Sequence, residues 1–263
     1  MARPIVTLMT DFGLKDSYVA EMKGVILGIC PSAEIVDVSH EIEKFNIRMG
    51  AYVLASASPY FPKGTINVSV VDPRVGTERR GLCIETARGY FIGPDNGVLV
   101  LAARAQGIKH IRVIKNAKFL LPNVSRTFHG RDVFAPVAAH LANGVNPSDI
   151  GPETRKTFVP EFAQVIKDKN RVTGEVLHVD GFGNIVTNIT EKGIEEVGVS
   201  PGSSLKMDGV QGRLRFCKTY GEVEVGEPCA LIGSHGYFEI SVNQADASKI
   251  FSQKIGDKIT FCL

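Results

Sequence analysis

The sequence predicts an α/β N-terminal domain with a mainly parallel central sheet, followed by a C-terminal all-β, barrel-like domain. In the first half, short β-prone apolar runs alternate with stretches whose apolar residues recur at helical spacing. This β-α-β-α-β order is typical of a parallel sheet with helices on its faces. After about Pro160 no long helical stretch follows, and many short β-prone runs separated by glycine indicate a small barrel or sandwich.

The predicted elements of the first domain follow one another in a regular order. Ile5–Thr10 is apolar and β-prone and ends at a Thr-Asp-Phe-Gly turn, after which Asp16 and Ser17 can cap a helix. Pro31 ends that helix. The later elements are the strand Ala33–Val38, the helix Ile47–Tyr60, the strand Thr65–Val71, the hairpin Leu82–Thr86 with Tyr90–Ile92, the helix Val98–Ala105, the strand Ile111–Ile114, and a helix from about Asp132 or Val133 to near Asn143.

The second domain is predicted to consist of short strands. They are Gly174–His178, Ile185–Ile189, Ser204–Met207, Arg213–Phe216, Cys229–Ile232, Tyr237–Val242 and Lys258–Phe261. The change of character predicts an α/β domain over residues 1–160, a linker over 161–170 and a β-barrel domain over 171–263.

Composition excludes several classes of protein. Hydrophobic residues make up 44% and charged residues 22% of 263 residues, which is ordinary for a folded globular protein. The net charge of +2, without a Lys/Arg cluster, gives no reason to expect a nucleic-acid or membrane partner. The N-terminus lacks the apolar stretch of a signal peptide, and the five cysteines form no Cys-x-x-Cys pair. We therefore expect a cytoplasmic protein with reduced, mostly buried thiols.

Polar residues at the ends of predicted strands are the first candidates for chemistry, because open α/β sheets bind ligands beyond the carboxyl ends of their strands. Asp11 follows the first strand and Asp72 follows the third. His129 precedes a predicted helix N-terminus, where backbone N–H groups favour an anion. Each residue has a structural alternative: the two aspartates can be turn formers, and the histidine can be a hydrogen-bonded structural residue.

Familiar cofactor motifs are absent from the sequence. No Gly-x-x-x-x-Gly-Lys-Ser/Thr loop and no Gly-x-Gly-x-x-Gly follows the first strand, so neither a nucleoside triphosphate nor a dinucleotide is indicated. No carboxylate or histidine cluster has metal-ligand spacing, so we expect no metal and no cofactor. The other histidines occur singly and are expected to be structural: His40, His110, His140, His178 and His235.

Seven short motifs, taken in order, resemble those of the S-adenosyl-L-methionine (SAM) hydrolase family, whose relatives include SAM-dependent fluorinases and chlorinases. They are Thr10-Asp-Phe-Gly13 with Asp16-Ser17 and Lys23-Gly24, Val36-Asp-Val-Ser-His40, Asp72-Pro-x-Val-Gly-Thr77 with Arg79, Gly93-Pro-Asp-Asn-Gly97, Phe128-His-Gly-Arg-Asp132, Phe182-Gly-Asn-Ile-Val-Thr-Asn188 and Ser234-His-Gly-Tyr-Phe-Glu-Ile240. Each motif alone is weak, but their order and spacing cover nearly the whole chain and make the resemblance specific.

The resemblance implies hydrolysis of SAM to adenosine and L-methionine, with residues 1–160 catalytic and residues 171–263 binding adenine. Asp72, Arg79 and His129 match the set that activates water. The implied substrate contacts are Asp11 for the ribose or the amino-acid portion, Asp180 for the methionine part, Phe182 and Asn184 for adenine, Ser234 and Glu239 for the nucleoside, Phe45 and Tyr220 as aromatic walls, and Val242. The resemblance also implies a homotrimer with sites at subunit interfaces.

Departures from the halogenases favour water as the nucleophile. In the fluorinase a tyrosine stands at the position of Asp72 and a serine at that of Gly130, so the aspartate here brings a charge that repels halide. The extended fluorinase loop is also missing after Arg79. Arg74 stands where the hydrolases usually have glycine, and if that glycine has φ > 0 the arginine would cost about 1 kcal/mol or more, or the turn must differ.

Three other functions fit parts of the sequence. A SAM-dependent chlorinase would form 5′-chloro-5′-deoxyadenosine, and a SAM- or adenosine-binding sensor would bind without turnover. A metal-dependent phosphohydrolase using Asp11 and Asp72 would be sensitive to chelators. SAM hydrolysis remains the prediction, since the charge of Asp72 disfavours a halide and the intact set of Asp72, Arg79 and His129 counts against a sensor without turnover.

Overall fold

We describe the protein from a computed structural model over residues 3–169, 171–208, 210 and 212–262. The chain forms two compact units, Met1–Val159 and Pro160–Leu263. The first contains a mixed sheet with helices and the second a closed, barrel-like sheet, so the predicted fold class is confirmed. Residues 161–170, predicted to be a linker, include a 3-10 turn at Glu161–Ala163 and a short strand at Ile166–Asp168. No helix among the described residues is long and apolar enough to cross a membrane.

The sheet of the first unit has six strands in the order β2-β1-β3-β5-β4-β6. Parallel pairing joins β2 to β1, β1 to β3 and β3 to β5, and β4 pairs antiparallel with both β5 and β6. Five strands therefore run in one direction and only β4 opposes them. The strands are β1 Ile5–Thr10, β2 Glu34–Ser39, β3 Thr65–Val70, β4 Gly81–Thr86, β5 Gly89–Pro94 and β6 Ile108–Val113.

Helices cover both faces of this sheet. They are α1 Tyr18–Ile29, α2 Ile47–Ala57, α3 Val100–Ala105 and α4 Ala135–Ala142. Met22 and Ile26 of α1 pack with Val137 of α4 in the core on one face. Leu54 of α2 and Ala102 of α3 pack in a second core on the other face. Apolar side chains of the strands therefore pack into two cores, one on each face of the sheet. This is the doubly wound arrangement.

Strand β1 lies between β2 and β3, so the chain leaves β1 to one side and returns to the other. This reversal creates a topological switch point, and ligands of open α/β sheets bind in the crevice beyond the strand ends at such points. Asp11 follows β1 and Asp72 lies two residues after β3. The fold thus places both predicted aspartates at the same edge of the sheet.

Several element ends differ from the prediction for local reasons. Ser17 is the N-cap residue of α1, but its hydroxyl donates to Glu21 Oε1 at 2.7 Å and makes no side-chain cap. The predicted helix from Asp132 instead begins as a π-helix over Gly130–Phe134, and Pro136 falls in the first turn of α4. Strand β6 begins three residues earlier than predicted because Ile108 extends its pairing with β4.

The second unit is built around a ring of seven strands that closes when β14 pairs with β8. Adjacent strands of the ring pair antiparallel, except β11 and β12, which pair parallel. The strands are β7 Ile166–Asp168, which pairs with β8 outside the ring, β8 Arg171–Val179, β9 Ile185–Thr190, β10 Ser204–Met207, β11 Leu214–Phe216, β12 Pro228–Ile232, β13 Tyr237–Val242 and β14 Lys258–Cys262. Two short helices, α5 Glu191–Glu195 and α6 Ala247–Phe251, complete the unit. Alternate residues such as Phe238, Ile240 and Phe261 fill its core.

Candidate active site

A tight turn after β3 fixes the start of the candidate site. Val75 N donates to the Asp72 carbonyl at 3.2 Å, and Thr77 N donates to the Arg74 carbonyl at 3.3 Å. Gly76 has φ +77°, and a Cβ there would lie 2.1 Å from the Arg126 carbonyl oxygen. Arg74 does not have a positive φ, so its place in the turn carries no left-handed strain. The residue that must be glycine is Gly76.

Asp72, Arg79 and His129 form one connected network. Arg79 Nε donates to Asp72 Oδ2 at 2.9 Å and to Oδ1 at 3.1 Å, and Arg79 Nη2 also contacts Oδ2. The same Nη2 lies 2.7 Å from His129 Nδ1. The side chains of Asp72 and Arg79 are only 4% and 6% exposed, and the guanidinium lies 5.3 Å from the ring centre of Phe134. A bidentate, buried pair of this kind holds both groups in one geometry.

The protonation of His129 follows from its partner. A guanidinium has donors only, so Nδ1 accepts from Arg79 and the neutral ring carries its proton on Nε2. Burial lowers the pKa of His129 below its usual 6.5, and the positive charge of Arg79 lowers it further. The network therefore combines a carboxylate, a fixed cation and a neutral imidazole with one donor proton.

The π-helix that begins after His129 is held by Asp132. This buried carboxylate accepts from Ser125 N at 2.8 Å and from Arg131 Nε at 2.6 Å. Arg131 also donates to Glu21 Oε2 at 2.7 Å, which ties the π-helix to α1. Single-turn π segments are frequent at functional sites, and here the extra residue per turn lies directly after the candidate histidine.

An aromatic cluster next to the network was missed in the sequence. The rings of Phe12, Tyr18 and Phe128 lie 5.1 to 5.7 Å apart, centre to centre, in tilted and edge-to-face pairs. A Cβ on Gly130 would lie 3.2 Å from the Phe128 ring and 3.1 Å from Met22 Sδ, so this cluster leaves little room there. The available signal was that Phe12 follows Asp11 and Phe128 precedes His129 in the chain.

Asp11 is engaged with the chain around Phe45. Asp11 is 7% exposed, and its Oδ2 accepts from the backbone N–H of Phe45 at 2.8 Å. Phe45 has φ +66° and is 66% exposed. A bulky residue with positive φ costs free energy, and this hydrogen bond helps to hold it. The structure thus brings these two predicted residues together.

In the second unit, Asp180 organises the turn that carries Phe182 and Asn184. Asp180 Oδ1 accepts from the backbone N–H groups of Phe182 and Asn184, both at 2.9 Å, and Oδ2 accepts from Asn184 Nδ2 at 2.9 Å. Gly183 has φ +85°, and its close approach to Asp246 excludes a side chain. Phe182 projects from this turn with 84% exposure. The turn is rigid and presents one bare aromatic ring.

Tyr220 and Glu239 form a second linked pair in this unit. Tyr220 Oη donates to Glu239 Oε1 at 2.7 Å, and Ser241 Oγ donates to the same oxygen at 3.0 Å. Burial raises the pKa of Glu239, and the nearby Asp180 carboxylate raises it further. Burial, followed by the bond to Glu239, raises the pKa of Tyr220. Asp180, Tyr220 and Glu239 are thus close enough to interact electrostatically.

The last two predicted residues differ in accessibility. Ser234 is exposed in the turn between β12 and β13. Val242 is 3% exposed at the end of β13, and its side chain belongs to the barrel core. Within the described part of the chain, no group of three or more His, Cys, Asp or Glu side chains could hold a metal ion.

The fold and the linked carboxylate, guanidinium and imidazole define a two-domain protein with a candidate acid–base site at a sheet switch point. Two models of the SAM hydroxide adenosyltransferase family match the chain, the N-terminal domain over residues 6–151 and the C-terminal domain over residues 174–260. The chain belongs to the SAM hydroxide adenosyltransferase family.

Individual relatives agree with this membership. An (R)-S-adenosyl-L-methionine hydrolase from Methanocaldococcus jannaschii is 40% identical over 267 residues, which cover 97% of this chain and 94% of that protein. A fluorinase from Actinopolyspora mzabensis is 27% identical over 286 residues, covering 97% and 96%. The crystal structure of an uncharacterized conserved protein from Thermotoga maritima matches with a TM-score of 0.85 at 40% identity and covers 98% of this chain and 100% of that one.

Proposed function

We propose that this protein is an enzyme that hydrolyses S-adenosyl-L-methionine to adenosine and L-methionine. The observation that carries the proposal is the buried network of Asp72, Arg79 and His129 in a chain of this family. A relative that is 40% identical over nearly its whole length is named (R)-S-adenosyl-L-methionine hydrolase. We extend that activity, including the (R) configuration at sulfur, to this chain.

In the proposed reaction a water oxygen attacks C5′ of the substrate and the C5′–S bond breaks. The electron pair of that bond goes to sulfur, so methionine leaves as a neutral thioether. The water proton passes to the Asp72 carboxylate, which retains lone pairs beyond those used by Arg79. A positioned base of this kind contributes roughly 10²–10⁴-fold to the rate. Its hydrogen-bonded geometry supports this role.

Arg79 and His129 have complementary proposed roles. Arg79 fixes the direction of the Asp72 carboxylate, because its contacts with the two carboxylate oxygens come from one rigid fork. His129 accepts from Arg79 through Nδ1, so Nε2–H is the donor that can orient the attacking oxygen. Placing water in line with C5′ adds to the rate through orientation entropy.

The remaining predicted residues are proposed to bind substrate. Phe182 offers an exposed ring for stacking on adenine, and Asn184 is held beside it by Asp180. Tyr220, Glu239 and Ser234 are proposed to complete the nucleoside contacts, and Val242, whose side chain lies in the barrel core, is proposed to support them from within the barrel. In the first unit, Asp11 is proposed to bind the ribose or the amino-acid portion, beside the exposed ring of Phe45.

A homotrimer with sites at subunit interfaces, and a cytoplasmic location, are further parts of the proposal. Four of the five thiols are buried and all five are free, which fits a reducing compartment. Sedimentation measures the assembly. Mixing subunits that carry Asp72→Ala with subunits that carry Asn184→Ala measures whether one site draws on two subunits, because mixed trimers would then regain part of the activity.

The proposed function is tested by chromatography of the products formed from each sulfonium epimer of SAM in ordinary and ¹⁸O-labelled water. Adenosine with the label on its 5′ oxygen is the expected product. The same incubation in chloride measures halogenation, because a chlorinase forms 5′-chloro-5′-deoxyadenosine instead. Saturable adenosine binding without methionine release would identify a sensor and would overturn the proposed hydrolysis.

A further inference from the structure

Within the Gly93–Gly97 segment, the side chain of Asn96 holds the backbone that leads to Asp72. Asn96 is 8% exposed, and its Nδ2 donates to the carbonyl of Val71 at 2.8 Å. Its Oδ1 accepts from Val98 N at 3.2 Å, so both ends of the amide are used. Val71 directly precedes Asp72. Asn96 therefore fixes the backbone from which the candidate base extends.

The neighbouring Asp95 holds Arg80, the residue next to Arg79, through its carboxylate and through its backbone N–H. Its Oδ2 accepts from Arg80 Nε at 2.9 Å and from Arg80 Nη2, and its backbone N–H donates to the Arg80 carbonyl at 2.9 Å. Its side chain is 7% exposed. Arg80 directly follows Arg79. The dipeptide Asp95-Asn96 thus holds both ends of the segment that connects the two members of the pair.

The residues between those ends are mostly exposed. Pro73, Arg74 and Glu78 are all at the surface, so little side-chain packing fixes the loop from its outer side. The bond between Asp72 and Arg79 requires two groups seven residues apart to keep one relative position. The anchors at Val71 and Arg80 supply that constraint through the backbone.

We propose that Asp95 and Asn96 are positioning residues, which set the geometry of Asp72 and Arg79 for the proposed hydrolysis without touching the substrate. The inference rests on the proposed function. A misplacement of the reacting groups by about 1 Å can cost roughly 10²-fold in rate, so losing an anchor lowers kcat. Substrate affinity changes little, because the base acts on water and not on the nucleoside.

A purely structural role has a separate signature. Asp95 Oδ1 accepts from Phe158 N at 2.8 Å and Arg80 Nη2 donates to the Lys156 carbonyl at 2.6 Å, so the pair also fastens residues 156–158 to the sheet. Loss of these contacts alone would lower thermal stability and leave kcat unchanged. The two roles are therefore separated by turnover per folded molecule.

The test uses the full-length chain with Asn96→Asp and the matched variant Asn67→Asp. Asn67 is also buried, at 2% exposure, and its Nδ2 also donates to a backbone carbonyl, that of Tyr90 at 3.0 Å. Both substitutions replace the amide donor with an acceptor, but Asn67 lies inside β3, away from Asp72. Circular dichroism and Tm measure folding, and calorimetry measures adenosine binding.

For Asn96→Asp we expect kcat to fall by roughly 10- to 100-fold, with KM within about threefold and adenosine affinity unchanged. Asn67→Asp is expected to keep kcat within about twofold at a similar loss of Tm. An unchanged kcat in Asn96→Asp, or an equal loss in Asn67→Asp, would overturn the inference. Where Asn96→Asp fails to fold, Asp95→Asn tests the same proposal, since it removes the charge that holds Arg80. Wild-type protein that does not hydrolyse SAM would instead overturn the proposed function.

Discussion

The two units present their candidate residues in different ways. In the first, Asp72 and Arg79 are almost fully buried and are bonded to each other and to His129. In the second, Phe182 is 84% exposed, while the Asp180 turn behind it is fixed by internal hydrogen bonds. Preformed, buried polar groups suit a chemical step, and exposed rings on rigid turns suit recognition. The difference predicts that substitutions in the buried network of the first unit change kcat and those around the Phe182 turn of the second unit change KM.

The largest effect is expected for Asp72→Asn. The amide keeps an acceptor for Arg79 but cannot take a proton from water, so kcat should fall by roughly 10²–10⁴-fold. Adenosine release from SAM measures turnover, and calorimetry should show unchanged adenosine binding. Asp37→Asn is the control, since Asp37 is also ion-paired, to Lys23 at 2.6 Å, but lies in β2. Full turnover by Asp72→Asn would remove the distinction between the two units.

The second largest effect is expected for His129→Gln, which replaces the imidazole by an amide whose acceptor and donor cannot both keep the positions of Nδ1 and Nε2–H, and which should lower kcat by roughly 10²-fold. For the wild-type protein, the pKa of His129 predicts how activity depends on pH. The pKa of His129 is lowered below 6.5, so the ring stays neutral at pH 6.5 and above, and activity should fall only at lower pH. Protonation then removes the acceptor that Arg79 requires.

The lowered pKa of His129 also determines how the free energy of unfolding changes with pH. Between the lowered pKa and 6.5 the folded protein binds fewer protons than the unfolded chain, so the free energy of unfolding rises with pH in that window. In His129→Gln this contribution should vanish from a urea denaturation series, together with the acid limb of kcat/KM. An acid limb that survives unchanged in His129→Gln would show that another group controls it.

The sequence predicted part of this site for physical reasons. The rule that ligands bind beyond strand ends was enough to select Asp11 and Asp72, and the structure brings both to the edge where β1 and β3 end. Arg79 carried no such signal, because its loop has no periodicity, and only the family resemblance selected it. Asn96 was noted only as part of the Gly93–Gly97 motif, since its bond to Val71 spans 25 residues and depends on the order of β3 and β5.

The start of the helix after His129 could be predicted from the sequence only in part. The sequence predicted a helix after His129, and the structure has one, but it begins as a π-helix. That register depends on buried Asp132, whose partner Ser125 lies outside the helix and whose partner Arg131 also binds α1 through Glu21. Such a constraint from tertiary contacts leaves no pattern in the local sequence.

A smaller effect on turnover is expected in the second unit for Gly183→Ala. The residue has φ +85°, and an added Cβ would lie 2.3 Å from Asp246 Oδ1 and 2.8 Å from Asp246 Cα, so the Phe182 turn must shift. We expect KM for SAM to rise several-fold at nearly constant kcat, with a stability loss of about 1 kcal/mol or more. Steady-state kinetics and urea denaturation measure both.

Gly181→Ala is the matched control for that turn, because a Cβ on Gly181 meets no atom within 4 Å and its φ is not positive. It should leave KM and stability close to wild type. If Gly183→Ala lowers kcat and keeps KM, the second unit takes part in the chemical step, and the division of roles between the units is wrong.

The smallest effect on turnover is expected for Tyr220→Phe. The change removes one of two hydroxyl donors to Glu239 Oε1 and leaves Ser241, so KM should rise only a few-fold while kcat stays constant.

The tyrosine bond lowers the pKa of Glu239 against the larger effect of burial, so its loss should raise that pKa further. A carboxyl with a raised pKa binds more protons in the folded state, so its ionisation costs stability as pH increases. Tyr220→Phe should therefore lose more Tm at pH 8 than at pH 5, whereas Tyr60→Phe, at a tyrosine that is 76% exposed, should lose little at either pH. An equal loss at both pH values would mean that the hydroxyl stabilises the barrel by packing and not by supporting the charge of Glu239.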